Sequence, residues 1–186
     1  MSTILIAVLA CVGLLIIIII IGIFNRLVTL KFRSNEAWAQ IDVQLKKRSD
    51  LVPNLVETVK GYAAHEKSVF ENVTKARAMM QGAGGDVGKT LEANNMMAGA
   101  LKSLFAVVEN YPELKANENF KMLQTELAGI EDRIAYARQF YNESVRMYNE
   151  YQMQFPAAMF ASMFGHKQAV FFEAAEAEKQ APTVKF

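Results

Sequence analysis

The sequence predicts an all-α fold, in which an N-terminal transmembrane helix continues into an antiparallel bundle of three to four long helices. Residues 4–24 contain no charged side chain. Downstream, apolar residues recur at alternating spacings of three and four, which is the period of helices that pack through one face. No sustained alternation of apolar and polar residues indicates a strand.

The uncharged run has the length of one membrane-spanning helix. About 20 apolar residues cross a hydrocarbon core about 30 Å thick, and this run has 21, ending just before Asn25. It lacks the basic start and the small-residue cleavage site of a secretory signal. We therefore expect a retained anchor that crosses the bilayer once, with Ile4, Ile16, Ile20 and Phe24 among its membrane-spanning residues.

Basic side chains follow the run and none precedes it. Arg26, Lys31 and Arg33 come first, and Lys46, Lys47 and Arg48 follow. Because cytoplasmic flanks of membrane helices are enriched in Lys and Arg, we expect the rest of the chain to be cytoplasmic.

Three apolar stripes predict the bundle helices within residues 25–152. The first carries Trp38, Ile41, Leu45, Arg48, Val52, Leu55, Val59 and Tyr62; the second carries Met97, Leu101, Leu104 and Val108; the third carries Phe120, Leu123, Leu127, Ile130, Ile134, Ala137 and Tyr141. Between residues 25 and 38 there is no Gly or Pro, so the anchor helix should run directly into the first stripe.

Turn residues predict where these helices end. Pro53 should kink the first helix, and Gly61 is a candidate break. The bundle has three long helices, or four if the chain reverses near residues 61–66. Further ends are expected at the glycine-rich residues 81–88, at Tyr111-Pro112 with Asn117 or Asn119 as the next cap, and at Phe155-Pro156.

The composition points away from catalysis and from nucleic acid. The net charge of +1 does not suit a nucleic-acid-binding protein. The only cysteine, Cys11, lies in the membrane run, and the two histidines, His65 and His166, have no partner at metal-ligand spacing. Gly84 to Thr90 superficially resembles a phosphate-binding loop, but Ala83 replaces a required glycine and no strand precedes it. We predict no catalytic residue, cofactor or metal.

Arg48 is the one charged residue on the first apolar stripe. Either it is a buried ion-pair member that fixes the helix register, or its stem lies along the stripe while the guanidinium reaches solvent. We favour the second interpretation. Asp42, Asp50, Glu57 and Glu126 are possible partners for the first.

Residues 153–172 are predicted to be a C-terminal helix region that is rich in Met and Phe. Phe155, Met159, Phe160, Met163 and Phe164 form a candidate interaction surface. We expect them to fold back and cap the bundle, with two alternatives: an adaptable surface for self-assembly or a partner, and contact with lipid headgroups. Residues 1–3 are the short N-terminal end, and 173–186 are predicted to be a flexible tail.

Several blocks are specific enough to indicate a family: AWAQIDVQLKKR at 37–48, DLVPNLVETVKGY at 50–62, YPELKANENF at 111–120 and EDRI at 131–134. Together they resemble the LemA family of bacterial membrane proteins over essentially residues 25–172, with Ser49 where we would expect His. The resemblance implies a single-pass protein of the bacterial inner (plasma) membrane with an antiparallel helical bundle. The family includes relatives linked to magnetosome membrane formation. The resemblance implies no catalytic residues.

The first functional hypothesis is therefore a non-enzymatic, membrane-anchored helical scaffold that forms homo-oligomers or organises membrane and partner proteins. The alternative is an adaptor or sensor that binds a membrane protease or signalling protein through residues 50–66. A hydrolase is the weakest hypothesis. The expected partners are the lipid bilayer, further copies of the chain and a membrane protein, without nucleic acid.

Overall fold

The computed structural model describes residues 2–173, which contain six helices and no strand. These are α1 (Ser2–Lys60), α2 (Lys67–Gly82), α3 (Val87–Val108), α4 (Pro112–Ala116), α5 (Glu118–Met153) and α6 (Ala157–Ala161). The predicted all-α class is confirmed. Apart from Glu173, the predicted flexible tail at 173–186 lies outside the described residues.

The membrane run and the first bundle stripe belong to one helix. α1 has 59 residues, and Pro53 lies inside it without ending it. Among the described residues it is the one helix long and apolar enough to cross a membrane. None of residues 3–22 is buried, and an apolar helix exposed on every side is suited to lipid. The expected direct continuation of the anchor into the bundle is confirmed.

The chain reverses after α1, which gives four long helices rather than three. α1 ends at Lys60, directly before Gly61. Arg77 Nε on α2 donates a hydrogen bond of 3.1 Å to the Ser49 carbonyl oxygen, and the Lys60 ammonium lies 5.7 Å from the centre of the Phe70 ring. Because later residues of α2 meet earlier residues of α1, the two helices are antiparallel.

The predicted turn between α2 and α3 is confirmed. Gly84 and Gly85 have φ angles of 60° and 81°, a left-handed conformation that glycine adopts without steric cost. Asp86 then caps α3, since its carboxylate accepts a hydrogen bond of 2.8 Å from the Lys89 backbone N–H.

The helix caps decide the start of α5. Asn117 Oδ1 accepts a hydrogen bond of 3.0 Å from the Phe120 backbone N–H, so Asn117, and not Asn119, is the cap. The five-residue α4 was not predicted from the sequence. It begins at Pro112, whose fixed φ and missing N–H suit the first position of a helix.

By internal contacts the chain divides into two compact units. Within the described residues, the first, the anchor unit, comprises 2–38 and 140–171, and the second, the Arg48 unit, comprises 39–139 with 172 and 173. The anchor unit has a core of Ile23, Leu27, Leu30, Tyr148, Ala157 and Ala161. The core of the Arg48 unit takes in most of the three predicted stripes, including Ile41, Leu45, Leu55, Met97, Leu104, Phe120, Leu127 and Ile134.

Candidate functional site

The Arg48 unit contains a buried guanidinium at its centre. Arg48 is 2% exposed. Its Nη1 lies 3.0 Å and 3.3 Å from the two carboxylate oxygens of Glu131, and its Nη2 lies 2.8 Å from Asn94 Oδ1. The favoured prediction, in which the guanidinium reaches solvent, is therefore wrong. The buried ion-pair interpretation is correct, with a carboxylate that was not among the proposed partners.

Three helices contribute one member each to this network. Arg48 comes from α1, Asn94 from the buried side of α3 and Glu131 from α5, directly after the core residue Ile130. The Glu131 side chain is 44% exposed, so water solvates one end of the ion pair. A buried charge is costly unless its hydrogen bonds are made, and here two side chains accept from it. The network ties together three helices of the bundle.

The other polar candidates lie on separate segments of the described chain. Among residues 2–173, no cluster of three or more His, Cys, Asp or Glu side chains could hold a metal ion. His65 and Cys11 are exposed and lie on different segments of the chain. The glycine-rich turn borders a groove of about 330 Å³ whose lining includes Asp42, Asp50 and a single lysine, Lys46. Two carboxylates against one ammonium make this groove unsuited to phosphate.

In the anchor unit, α5 runs antiparallel to α1. The Trp38 and Tyr141 rings lie 5.4 Å apart, and seven residues further along α5, Tyr148 packs in the same cluster as Leu27 and Leu30. Later residues of α5 therefore meet earlier residues of α1, and α5 runs towards the membrane run.

The segment after α6 is fastened to α5 by side-chain hydrogen bonds. Asn149 makes two bonds of 2.9 Å to the backbone of Ala169, one as donor and one as acceptor. The Tyr141 hydroxyl donates to the Val170 carbonyl oxygen at 2.7 Å. The Tyr148 hydroxyl lies 2.8 Å from His166 Nδ1.

The environment of this last pair favours the neutral form of both groups. Burial raises the pKa of the Tyr148 hydroxyl. Desolvation lowers the pKa of His166, and the positive charge of Lys31 lowers it further. When His166 is neutral, its Nδ1 can accept a hydrogen bond from the Tyr148 hydroxyl. A protonated imidazolium has no free lone pair at Nδ1 and could not accept one.

The structure divides the candidate interaction surface into two sets. Phe160 and Phe164 are partly buried against the Leu27 cluster and stack on each other at 6.2 Å. Phe155, Met159 and Met163 point outward and are 83%, 64% and 67% exposed. We call these three residues the exposed Met/Phe patch.

The sequence profile of the LemA family matches residues 37–186. The chain belongs to the LemA family. Similar proteins include Magnetosome protein MamQ 1 and MamQ 2 of Paramagnetospirillum magneticum, each 29% identical over 81% of this chain, and Magnetosome protein MamQ of Magnetospirillum gryphiswaldense, 27% identical over 80%. In all three cases the match spans 64% of the relative's length.

The LemA match contains both features described above. Residues 37–186 include Arg48, Asn94 and Glu131, as well as the exposed Met/Phe patch. They exclude the membrane run at 4–24. Membrane association of this LemA-family protein therefore rests on the length, composition and exposure of its own α1.

Proposed function

We propose that this LemA-family protein is a non-enzymatic, membrane-anchored helical scaffold that self-assembles or organises membrane and partner proteins. The observation that carries the proposal is the continuity of α1, which extends from the membrane run into the bundle without a loop. An anchor built this way holds the start of the bundle at the membrane surface.

The use of polar groups supports a structural role. The best-buried charge in the Arg48 unit pairs with Glu131 and Asn94 and so links three helices. Buried polar groups of this kind can fix the register of packed helices. The relatives are named as magnetosome proteins, a name that states no reaction, and we transfer to this chain only a role in an assembly.

Anchoring also favours association between copies. Chains confined to one bilayer meet at a high effective concentration, so weak contacts between them can produce stable assemblies. The proposal therefore requires no large pre-formed interface on a single copy.

The mass of the full-length protein, extracted in mild detergent, tests this proposal. Light scattering should give a discrete particle much larger than a dimer, and electron microscopy of the same fraction should show an ordered assembly. A monomer or dimer across a range of protein concentrations would contradict self-assembly.

An adaptor role is the second candidate, and one feature favours it. A groove of about 730 Å³ borders the predicted partner-binding segment and is lined by Asp50, Asn54, Met122 and Glu126 among others. Its mixture of charged and apolar groups suits a partner helix. This function predicts a small particle alone and a stoichiometric complex after crosslinking in native membranes.

A further inference from the structure

We propose that residues 154–164, which comprise the turn after α5, α6 and the turn that follows α6, form a second membrane contact, in which Phe155, Met159 and Met163 enter the headgroup region of the leaflet from which α1 emerges. The inference rests on the anchoring part of the proposed function and is independent of self-assembly. In this proposal the lipid surface covers the exposed Met/Phe patch.

The helix register places this turn at the height of the membrane boundary. Trp38 on α1 lies beside Tyr141 on α5, and the two helices are antiparallel. Twelve residues further, α5 ends at Met153, a displacement of about 18 Å at ~1.5 Å per residue. The same displacement back along α1 from Trp38 reaches Arg26, two residues beyond the end of the membrane run.

Side-chain contacts independently support that height. The Phe164 ring meets the Phe24 ring edge to face, with centroids 5.2 Å apart. Ile23 is 5% exposed because it packs in the cluster that contains Ala157 and Ala161 of α6. Ile23 and Phe24 are the last two residues of the membrane run. The segment from Ala157 to Phe164 thus already touches the end of the anchor.

The orientation of α6 then presents its apolar outer side to the same layer. Ala157 and Ala161 are buried against α1, while Met159 and Met163 are exposed on another side. Met163 lies two residues beyond the end of α6, but the Phe164 backbone N–H donates a hydrogen bond of 2.9 Å to the Phe160 carbonyl oxygen, so the helical turn continues that far. Positions i and i+4 of a helical turn share a face, so Met159 and Met163 lie on the same side. Phe155 is 83% exposed. Exposure of this apolar area to water is unfavourable, and burial at the boundary between the headgroups and the acyl chains removes that cost.

The exposed basic side chains of the anchor unit support contact with a lipid surface. Arg26, Lys31 and Lys167 are exposed, and basic side chains near a charged membrane surface are attracted to anionic headgroups. Two carboxylates on α5, Glu143 and Glu150, are engaged by Arg146. A second copy of the chain could also cover an apolar patch, but nothing in such a contact would require the patch to lie at the height of Phe24.

The test uses an environment-sensitive NBD dye at single positions of the full-length chain. With Cys11→Ser as background, Met159→Cys and Met163→Cys are labelled and reconstituted into vesicles of phosphatidylcholine and phosphatidylglycerol. Met122→Cys is the matched control, because Met122 is a methionine of equal exposure, 64%, in the Arg48 unit. Flotation of the same vesicles verifies that the anchor is inserted.

We expect dye at 159 and 163 to shift to shorter wavelength and to be quenched several-fold more by lipids spin-labelled near the headgroup than dye at 122. Quenching at 159 and 163 no greater than at 122, in vesicles that float with the protein, would overturn the inference. A wavelength shift without lipid quenching, lost on dilution with unlabelled lipid, would assign the patch to a second copy and would also overturn it. Particle mass reports on self-assembly separately.

Discussion

The Arg48 unit buries a charged side chain, whereas the anchor unit leaves apolar side chains exposed. The Arg48 unit encloses a guanidinium, 2% exposed, and satisfies it with Glu131 and Asn94. Among the described residues of the anchor unit, buried polar side chains are uncharged, while Phe155, Met159 and Met163 remain exposed. A charge inside needs internal partners, and apolar side chains outside need an apolar neighbour. Under the membrane contact proposed above, lipid is that neighbour for the three exposed side chains of the anchor unit.

The largest expected effect comes from removing the buried guanidinium. Arg48→Ala deletes a large buried side chain and leaves the Asn94 amide oxygen unpaired. We expect the free energy of unfolding to fall by about 3–4 kcal/mol, measured by urea denaturation of the full-length protein in detergent followed by circular dichroism.

Two controls sharpen the Arg48 result. Arg48→Met keeps most of the volume, so it should recover the part of the loss that comes from the cavity, while the Asn94 amide oxygen remains unpaired as in Arg48→Ala. Lys47→Ala, at an exposed neighbouring position, should change stability by less than about 0.5 kcal/mol. Equal effects for Arg48→Ala and Lys47→Ala would show that the buried network does not stabilise the bundle.

Removing the partner carboxylate should cost less than removing the guanidinium. Glu131 is 44% exposed, so water can replace part of its interaction with Arg48. We expect Glu131→Ala to lower the free energy of unfolding by about 1–2 kcal/mol in the same urea experiment. Asp132→Ala, one residue along on the exposed side of α5, is the matched control. A loss for Glu131→Ala as large as that of Arg48→Ala would contradict the exposure-based ranking.

In the anchor unit, polar substitutions on the patch should affect lipid contact and not folding. Met159→Gln with Met163→Gln should leave the free energy of unfolding in detergent within about 0.5 kcal/mol of wild type. In vesicles, the same pair should accelerate amide hydrogen exchange in residues 157–166 by weakening the contact with lipid. If the double variant in vesicles exchanged at the same rate as wild type, the proposed contact between the exposed Met/Phe patch and lipid would be contradicted.

The smallest expected effect is a dependence on pH in the segment after α6. Because the pKa of His166 is lowered by desolvation and by Lys31, the unfolded segment binds more protons than the folded one below the ordinary value of 6.5. Local stability should therefore be complete above about pH 6.5 and should fall as pH decreases below it. Protection factors of residues 162–170, obtained from hydrogen exchange at pH 5.5 and 7.5 after correction for the intrinsic exchange rate at each pH, measure this dependence, and His166→Gln should abolish it.

The helices could be predicted from the sequence because their signals are local. The stripes of α1, α3 and α5 repeat over many turns, and the glycines at 84 and 85 mark the reversal between α2 and α3. The five-residue α4 contains too few turns for a periodic pattern to develop, and α6, which lies within the predicted C-terminal helix region, has too few turns for the pattern to show which side is buried. For the same reason the sequence could not separate outward Met159 from inward Phe160.

The partner of Arg48 could not be predicted because it depends on the rotation of a distant helix. Glu131 lies 83 residues along the chain from Arg48, and the stripe of α5 places Ile130, not Glu131, at its centre. Asn94 offered a partial signal, since it stands three residues before Met97 on the apolar side of α3. A polar residue on each of two stripes is a reason to expect that they meet.

The most direct test of the scaffold is to count chains in a bilayer. The full-length protein, labelled with one dye through Met122→Cys in the Cys11→Ser background, is reconstituted into vesicles at a low protein-to-lipid ratio, and bleaching steps are counted spot by spot. The scaffold account predicts a population of spots with several steps each, which persists as the ratio is lowered. Single-step bleaching in nearly all spots at every ratio would contradict it.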